Sequence, residues 1–343
     1  MESKKRKNLP LNQYEIGGEK KRVFYDFLIH IFQDERIKPF IFLIIAIVVA
    51  QIISPLFLTW ENIRAVLISA APIMLLAIGE ALVVLTGMID LGPEAVLASS
   101  GIILASLDIV VGYPTFVSIT ATLLYGMAVG FVTGILIVKA RIPSFVVTLG
   151  NYWGLRGLAM VLSGGFPISP TIVQPPKPFS FTGIVGSIFG FPIMVIIAIV
   201  IGVIFQIYIT QFKKGIDIYA VGGNELAARN CGINVDFTKI FVFIVSGFLG
   251  ALSGIIMAAW VNQAYAWTAQ GYTLQTIAAV VLGGIPFTGG YGTVIGVLIG
   301  SFVIAVISDI IVLVGISPMY NYIAVAIVLI LAGLQVRGAG FTK

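Results

Sequence analysis

Four ionisable residues lie inside or at the edge of long apolar stretches of this sequence: Glu80, Asp90, Arg156 and Asp309. A charge is costly in an apolar environment, so such residues are candidates for function. They could line a path for a polar solute or relay protons. A structural role is the alternative, in which Glu80 or Asp90 pairs with Arg156 or caps a helix end.

Aromatic and amide side chains close to Arg156 have the chemistry to bind a polyhydroxylated solute. Sugars stack their apolar ring faces on aromatic rings, while amides and carboxylates bind the hydroxyl groups. A second group between residues 262 and 270 is also rich in Asn, Gln, Tyr and Trp, but a place at the bilayer interface explains it more simply. The predicted substrate pathway therefore comprises Glu80, Asp90, Asn151, Trp153 and Arg156.

The sequence offers little for catalysis or metal binding. It holds a single cysteine, Cys231, and a single histidine, His30, which excludes an intrachain disulfide and a His/Cys metal cluster. It contains no GxxxxGK[ST] phosphate loop and no Ser-His-Asp arrangement. We therefore expect a chain without catalytic residues, metal or cofactor of its own.

The amino-acid composition predicts that the helices carrying these residues cross a membrane. The chain is 59% hydrophobic and 10% charged, with a mean hydropathy of +1.06, far from the range of soluble domains. A crossing needs roughly 20 apolar residues of helix. The sequence predicts an all-α bundle of about ten segments: Pro39–Phe57, Ala65–Leu85, Ala95–Val111, Thr115–Val138, Pro143–Ser163, Pro192–Gln211, Lys239–Val261, Tyr272–Leu282, Thr293–Val314 and Tyr320–Leu334.

Basic residues predict the orientation of these segments. With a cytoplasmic amino terminus, most Lys and Arg fall on the inner side, as the positive-inside rule requires. The predicted organisation is a polar basic cytoplasmic tail (1–38), a transmembrane domain (39–336) and a short cytoplasmic carboxyl terminus (337–343). The tail is followed by no cleavage site, so we expect it to be retained.

Glycine and proline mark the irregular parts of the bundle. Glycines four residues apart, as at Gly126, Gly130 and Gly134, predict tight helix packing within the chain rather than a dimer interface. The stretch GMIDLGPE (87–94) predicts a reversal close to the inner surface. The glycines between 283 and 290, with Pro286, predict a helix broken at membrane depth, near a pore. The loop 164–191 is predicted to face outward, as a docking site for a delivery protein or as a plain connector.

A charged loop, residues 212–239, separates two apolar runs. From Lys213 it reads KKGIDIYAVGGNELAARNCGINVDFTK, a composition that favours short amphipathic helices. A membrane protein driven by a separate motor needs such a segment at its inner face. An ordinary amphipathic surface helix is the alternative.

From about residue 70 to residue 334 the chain resembles the permease subunits of ABC importers for monosaccharides, the ribose, xylose, arabinose and galactose group. The resembling stretches are GEALVVLTGMIDL (79–91), IPSFVVTLGNYWGLRGL (142–158), YAVGGNELAARNCGINV (219–235) and TIAAVVLGGIPFTGGYGTVIGVLIGS (276–301). The third looks like the family's coupling helix. The resemblance implies that the contact with an ATPase is made by Gly222, Gly223, Asn224, Glu225, Ala227, Ala228, Arg229 and Gly232.

The sequence departs from that family after IDL, where Gly92, Pro93 and Glu94 replace a turn of the Ser-Val-Gly type. The departure leaves the identity of the solute open.

The resemblance implies a multi-pass plasma-membrane protein that imports a monosaccharide by alternating access. The partners would be a second permease, identical or related, two cytoplasmic ATPases that carry ATP and Mg, and an extracytoplasmic solute-binding protein, with no nucleic acid. Import of branched-chain amino acids or nucleosides is an alternative within the same class. An ion-coupled carrier using Glu80, Asp90 and Asp309 is an alternative from another class.

Overall fold

The computed structural model describes residues 37–172 and 182–340 of the chain. Predictions for most of the tail 1–38, for part of the loop 164–191 and for residues 341–343 lie outside the described residues. Within the described part the chain is mostly helical and has one small hairpin as its only sheet. The all-α prediction is confirmed.

Twelve α-helices follow one another in the described residues: α1 (Lys38–Ile53), α2 (Trp60–Leu85), α3 (Pro93–Ala105), α4 (Thr115–Val138), α5 (Ser144–Ser163), α6 (Ile193–Gln211), α7 (Lys213–Gly223), α8 (Glu225–Asn230), α9 (Val235–Val261), α10 (Tyr272–Leu282), α11 (Val294–Leu313) and α12 (Asn321–Gly340). A π-helical turn, Ser106–Val111, extends α3. The short antiparallel strands β1 (Ser187–Ile188) and β2 (Phe191–Pro192) lead into α6.

Seven helical segments of the described chain are long and apolar enough to cross a membrane: Trp60–Leu85, Pro93–Val111, Thr115–Val138, Ser144–Ser163, Ile193–Gln211, Val235–Val261 and Val294–Leu313. Three other apolar helices are shorter: Lys38–Ile53, Tyr272–Leu282 and Pro318–Leu331. All ten predicted apolar segments are therefore helical, and seven of them have the length of a full crossing. The chain is a multi-pass membrane protein.

Helix α9 lies at the centre of the bundle, packed against α2, α3 and α4. Gly126 of α4 meets the backbone of Gly247, and Gly130 meets the backbone of Phe243, so closely that a Cβ atom at either glycine would clash. Small residues allow this approach, which supplies packing where lipid gives little hydrophobic drive. The glycine ridge of α4 thus packs within the chain, as expected.

The turn before α3 runs from the end of α2 into the bundle, and its expected place near the inner surface stays a prediction. Asp90 accepts a hydrogen bond from Ser246 Oγ at 3.0 Å, and Val96 packs on Gly250. Both partners are near the middle of the 27-residue helix α9. After α2 ends, the chain folds back along that helix, and the Asp90 N–H reaches the Glu80 side chain. Helix α3 therefore begins inside the bundle.

The glycine-rich connection between α10 and α11 lies beside the end of α2, and its expected depth in the membrane stays a prediction. The Gly290 N–H donates to the carbonyl of Leu85, the last residue of α2, at 2.9 Å. The break inside the bundle is at the other end of α10, where the Thr273 N–H donates to Glu94 of α3. Two helix amino termini thus meet in the interior.

Candidate functional site

A buried ion pair joins α3 to α5. The Arg156 Nη2 atom lies 2.6 Å from Glu94 Oε1, and the two side chains are 1% and 2% exposed. The other carboxylate oxygen, Glu94 Oε2, accepts the Thr273 N–H at 2.9 Å, in the first turn of α10. A carboxylate is favoured at a helix amino terminus because the unpaired N–H groups there carry partial positive charge. Glu94 therefore forms an ion pair with Arg156 and also accepts a hydrogen bond from the amino terminus of α10.

Aromatic rings enclose the guanidinium of this pair. Its Cζ atom lies 5.1 Å from the ring centre of Tyr152 and 5.0 Å from that of Trp267, within the range of cation–π attraction. The Arg156 Nη1 group also donates to the carbonyl of Ala266. The segment between α9 and α10 is thus held against α5 by one side chain.

Trp153 extends this aromatic group towards the outside of the chain. Its ring meets Tyr152 edge to face at 5.2 Å and Trp267 at 6.5 Å, yet the residue is 60% exposed. Asn151, two residues earlier, donates from Nδ2 to Thr133 Oγ1 at 2.6 Å and so holds α5 to α4. Of these two predicted pathway residues, Trp153 has an exposed ring. Asn151 instead forms a hydrogen bond that holds two helices together.

Glu80 and Asp90 form a second buried polar group, and Asp90 lies four residues before Glu94 in the chain. The Asp90 N–H donates to Glu80 Oε1 at 3.2 Å. The Asp90 carboxylate accepts the Gly92 N–H at 2.8 Å and Ser246 Oγ at 3.0 Å. Neither carboxyl group forms an ion pair within the described residues. Arg156, for which Glu80 or Asp90 was the expected partner, is paired with Glu94.

Asp309 lies apart from the other three ionisable residues. Its Oδ2 atom accepts a hydrogen bond from Asn62 Nδ2 at 2.8 Å. Asn62 is in the first turn of α2 and Glu80 in the last turns, 18 residues later, or about 27 Å along the helix. A relay through Glu80, Asp90 and Asp309 has no short path, which disfavours the ion-coupled alternative.

The charged loop folds as two helices, α7 and α8, joined at Asn224. The Asn224 side chain caps α8 by accepting the Ala227 N–H at 2.9 Å. The left-handed φ of 82° at Gly232 lets the chain turn away after α8. Ala228 is buried against Val221 and Val235, so its small side chain serves the packing of the loop itself.

A chain of ion pairs holds α8 to its neighbours. Glu225 is 3.4 Å from Arg229 and 2.7 Å from Lys239 of α9. Arg229 also reaches Asp236 at 3.1 Å, and Asp236 is 3.4 Å from Lys139 at the end of α4. The hydrogen bond from Lys239 holds the pKa of Glu225 below its ordinary value.

The last turn of α7 is pressed against the end of α2. A Cβ atom at Gly222 would clash with the carbonyl of Leu85 and lie 2.7 Å from Gly290 N. Tyr219, one turn earlier, donates from its hydroxyl to the carbonyl of Gly292 at 2.8 Å. The charged loop therefore contacts both α2 and the connection that precedes α11.

Comparison with known proteins decides the family. A sequence model described as "Branched-chain amino acid transport system / permease component" matches residues 62–333. The chain belongs to this permease family.

Curated relatives of the permease align over most of both chains. The ribose import permease of Haemophilus influenzae is 36% identical over 306 residues, covering 89% of this chain and 94% of its own. The ribose import permease of Bacillus subtilis is 34% identical over 323 residues, covering 94% and 98%. The D-allose transport system permease of Escherichia coli is 32% identical over 274 residues, covering 78% and 82%. No solved structure matches the permease.

Several residues of the permease site are absent from the sequence-based prediction. Glu94 was noted only as a departure from the family turn, and Trp267 only as an interface residue. Asp236 and Lys239 lie in the predicted charged loop, but neither is among the residues assigned to the ATPase contact. The contact of Gly222 with Leu85 has no local sequence signal, because it joins residues 137 positions apart.

Proposed function

We propose that this permease is the membrane-spanning subunit of an ATP-driven importer that moves a monosaccharide by alternating access. The observation that carries the proposal is the alignment, over nearly the whole chain, with proteins named ribose import permease. Relatives named for D-allose and L-arabinose transport extend the same solute class. The chain itself supplies the path and its gates, and ATP hydrolysis takes place on another subunit.

Both termini lie on the cytoplasmic side in this proposal, with about ten crossings that include the three shorter helices. The support is the grouping of basic residues. Lys139 follows α4 in sequence and Arg229 lies in α8, yet both pair with Asp236, so the two basic connections are at one end of the bundle. Basic connections favour the inner side.

The charged loop, residues 212–239, is the coupling segment in this proposal. Six of the eight residues assigned to the ATPase contact are open to a partner: Gly223, Asn224, Glu225, Ala227, Arg229 and Gly232. Gly222 and Ala228 face the chain's own core instead and support the segment. Two permeases, two ATPases with ATP and Mg, and an external solute-binding protein complete the assembly.

Force from the ATPase reaches the interior through the contact of Gly222 with Leu85. A push on α7 moves the end of α2, because the backbones touch there without an intervening side chain. Glu80, five residues before Leu85, carries the shift to Asp90 and so to the start of α3. Glu94, four residues after Asp90, belongs to the same short segment. Its contacts with Arg156 and with the Thr273 N–H link this segment to α5 and α10. Helices that border the path thus move together.

The solute passes the aromatic group on α5. Trp153 offers an exposed ring face for an apolar sugar face, while buried polar atoms nearby lack partners within the described residues, namely Arg156 Nε and Thr273 Oγ1. Ring faces beside hydrogen-bonding groups suit a pyranose or furanose better than the aliphatic side chain of a branched-chain amino acid.

Reconstitution tests the proposed function. The permease, purified with the ATPase that accompanies it, is placed in liposomes with its solute-binding protein outside and ATP at the ATPase face. We expect uptake of labelled ribose or a related monosaccharide that requires ATP and is insensitive to an uncoupler. Uptake of leucine or a nucleoside alone would select the alternative within the class. Uptake without ATP that an uncoupler abolishes would select the ion-coupled carrier.

A further inference from the structure

A cleft of about 600 Å³ opens between the charged loop and the connection from α4 to α5. Its apolar lining residues include Met88, Ile137 and Pro143. Its charged lining residues are Glu225, Arg229, Asp236 and Lys239 of α8 and α9, together with Arg141 of the α4–α5 connection. The cleft is separate from the buried polar groups described above.

The charges of this cleft do not balance. Glu225 and Asp236 are the two carboxylates, and three cations, Lys139, Arg229 and Lys239, already pair with them. Arg141 is a fourth cation, is exposed, and forms no ion pair with a carboxylate of the described residues. The cleft therefore carries a net positive charge with one guanidinium left available for an anion.

The backbone of Arg141 gives a second reason to assign it a role. Its φ is 56°, in the left-handed region that glycine adopts without strain and other residues rarely adopt. Helix α4 ends just before it, where glycine is the usual residue. An arginine in this position holds its side chain at the mouth of the cleft at the expense of backbone strain, a pattern found at functional sites.

An exposed apolar residue beside the cleft indicates that the occupant is a protein. Leu226, the residue after Glu225 on α8, is 70% exposed, and Glu225 lines the cleft. A partner that covers Leu226 therefore lies beside the cleft. A lipid headgroup satisfies the guanidinium but leaves that side chain uncovered in water.

We propose that the cleft receives a carboxylate-bearing segment of the ATP-hydrolysing subunit and that Arg141 binds its carboxylate. The inference rests on the proposed function, which places that subunit at this end of the bundle. The ATPase would then bind the permease at two sites, the charged loop and the α4–α5 connection. A guanidinium binds a carboxylate through two parallel hydrogen bonds, which gives the second site a defined geometry.

Photo-crosslinking in the full complex separates this inference from the proposed function. A photoreactive residue replaces Ala140, which is exposed beside Arg141, or Leu226 on the charged loop. We expect both positions to crosslink to the ATPase, with the Ala140 product near an Asp or Glu. Crosslinking from Leu226 alone, or from Ala140 to lipid, overturns the inference and leaves the proposed function intact. Crosslinking to the ATPase from neither position overturns both.

The charge of Arg141 is tested by two substitutions. Arg141→Gly fits the left-handed backbone and removes the guanidinium, so we expect an unchanged or higher unfolding temperature. The same variant should bind the ATPase about twofold to fivefold more weakly, a loss typical of one accessible charge pair. Arg141→Lys should recover part of the affinity. Equal affinity for wild type and Arg141→Gly, measured at low salt, contradicts the proposal.

Discussion

The carboxylate of Glu94 and the guanidinium of Arg156 meet at 2.6 Å inside the bundle, 62 residues apart in sequence, with neither side chain more than 2% exposed. The contact joins a residue of the unusual Gly-Pro-Glu turn to a helix that carries the aromatic group. Its second carboxylate oxygen holds the first turn of α10. Three helices therefore depend on one pair of charges.

Removal of either charge should destabilise the permease. In Glu94→Gln the side chain keeps its shape, but Arg156 becomes an unpaired buried cation. Loss of one partner of a buried pair lowers the free energy of unfolding by about 3–5 kcal/mol. Thermal unfolding in detergent measures the change.

The matched control is Glu61→Gln, since Glu61 is also in the first turn of its helix but is exposed. This control should leave the unfolding temperature almost unchanged. The double variant Glu94→Gln with Arg156→Met should be less destabilised than the sum of the two single variants. Simple additivity would show that the two side chains do not act as a pair.

Trp153 should affect transport without affecting stability. Its ring is 60% exposed, so Trp153→Ala removes little buried area. If the ring stacks on the solute, its loss weakens that contact by about 0.5–1.5 kcal/mol, or roughly twofold to twelvefold in uptake kcat/KM. Trp153→Phe should retain most of the rate.

Phe116→Ala is the control for Trp153, because Phe116 is 79% exposed on α4 and touches none of the aromatic group. Uptake by proteoliposomes and the unfolding temperature are measured for all three variants. A similar fall in uptake for Phe116→Ala would assign the effect to lipid contact instead of the solute.

The helices could be predicted from the sequence because length and apolarity are local properties. The bounds Thr115–Val138 and Tyr272–Leu282 agree with the structure residue for residue. Helix α9 begins at Val235 rather than at the expected Lys239, since Asn234 caps it by accepting the Phe237 N–H at 3.0 Å. The first turn of the helix contains the charged residue Asp236, so a search for apolar residues alone places the start too late.

Pairing within the site could not be predicted in the same way. From the sequence, Glu80 or Asp90 was the expected partner of Arg156, whereas the structure pairs it with Glu94. The choice depends on how far the chain after α2 folds back into the bundle. That distance is set by the Asp90 contacts with Glu80 and Ser246, which are tertiary. The sequence therefore indicated which residues were unusual, while the fold determined their partners.

Acid should loosen α8 from α9. The Lys239 hydrogen bond lowers the pKa of Glu225 below its ordinary value of 4.5. A carboxyl group with a lowered pKa contributes stability above its unfolded pKa and loses it as the pH falls through the folded pKa. We therefore expect the attachment of α8 to be constant from pH 8 to pH 5 and to weaken only in more acidic solution, by at most about 1 kcal/mol because the pair is half exposed.

Spin labels at Leu226 and Ala140, in a chain with Cys231→Ser, measure the distance from α8 to the α4–α5 connection, which Lys139 joins to Asp236 of α9. Glu225→Gln should already be partly loosened at pH 7, because among the ion pairs of the described residues only Arg229–Asp236 still joins α8 to α9. A transition near neutral pH would contradict the assignment to Glu225.

Gly222 and Gly223 are adjacent glycines for which we predict opposite outcomes. An added Cβ at Gly222 clashes with the carbonyl of Leu85, whereas at Gly223 it meets nothing within 4 Å. Gly222→Ala should therefore push α7 away from the end of α2, with a local overpacking penalty of about 1–3 kcal/mol. Gly223→Ala should fold like the wild type, because the added Cβ meets nothing within 4 Å.

The measurement is the ratio of solute transported to ATP hydrolysed in proteoliposomes of the full complex. If the contact of Gly222 with Leu85 transmits the force, Gly222→Ala should insert in the membrane and bind the ATPase, but transport about tenfold less solute per ATP. Unchanged coupling in Gly222→Ala would show that the force reaches the helices by another route. Equal losses of transport per ATP in both variants would assign the effect to direct contact of the loop with the ATPase. Gly223 is exposed, and a Cβ atom there would meet nothing else within 4 Å.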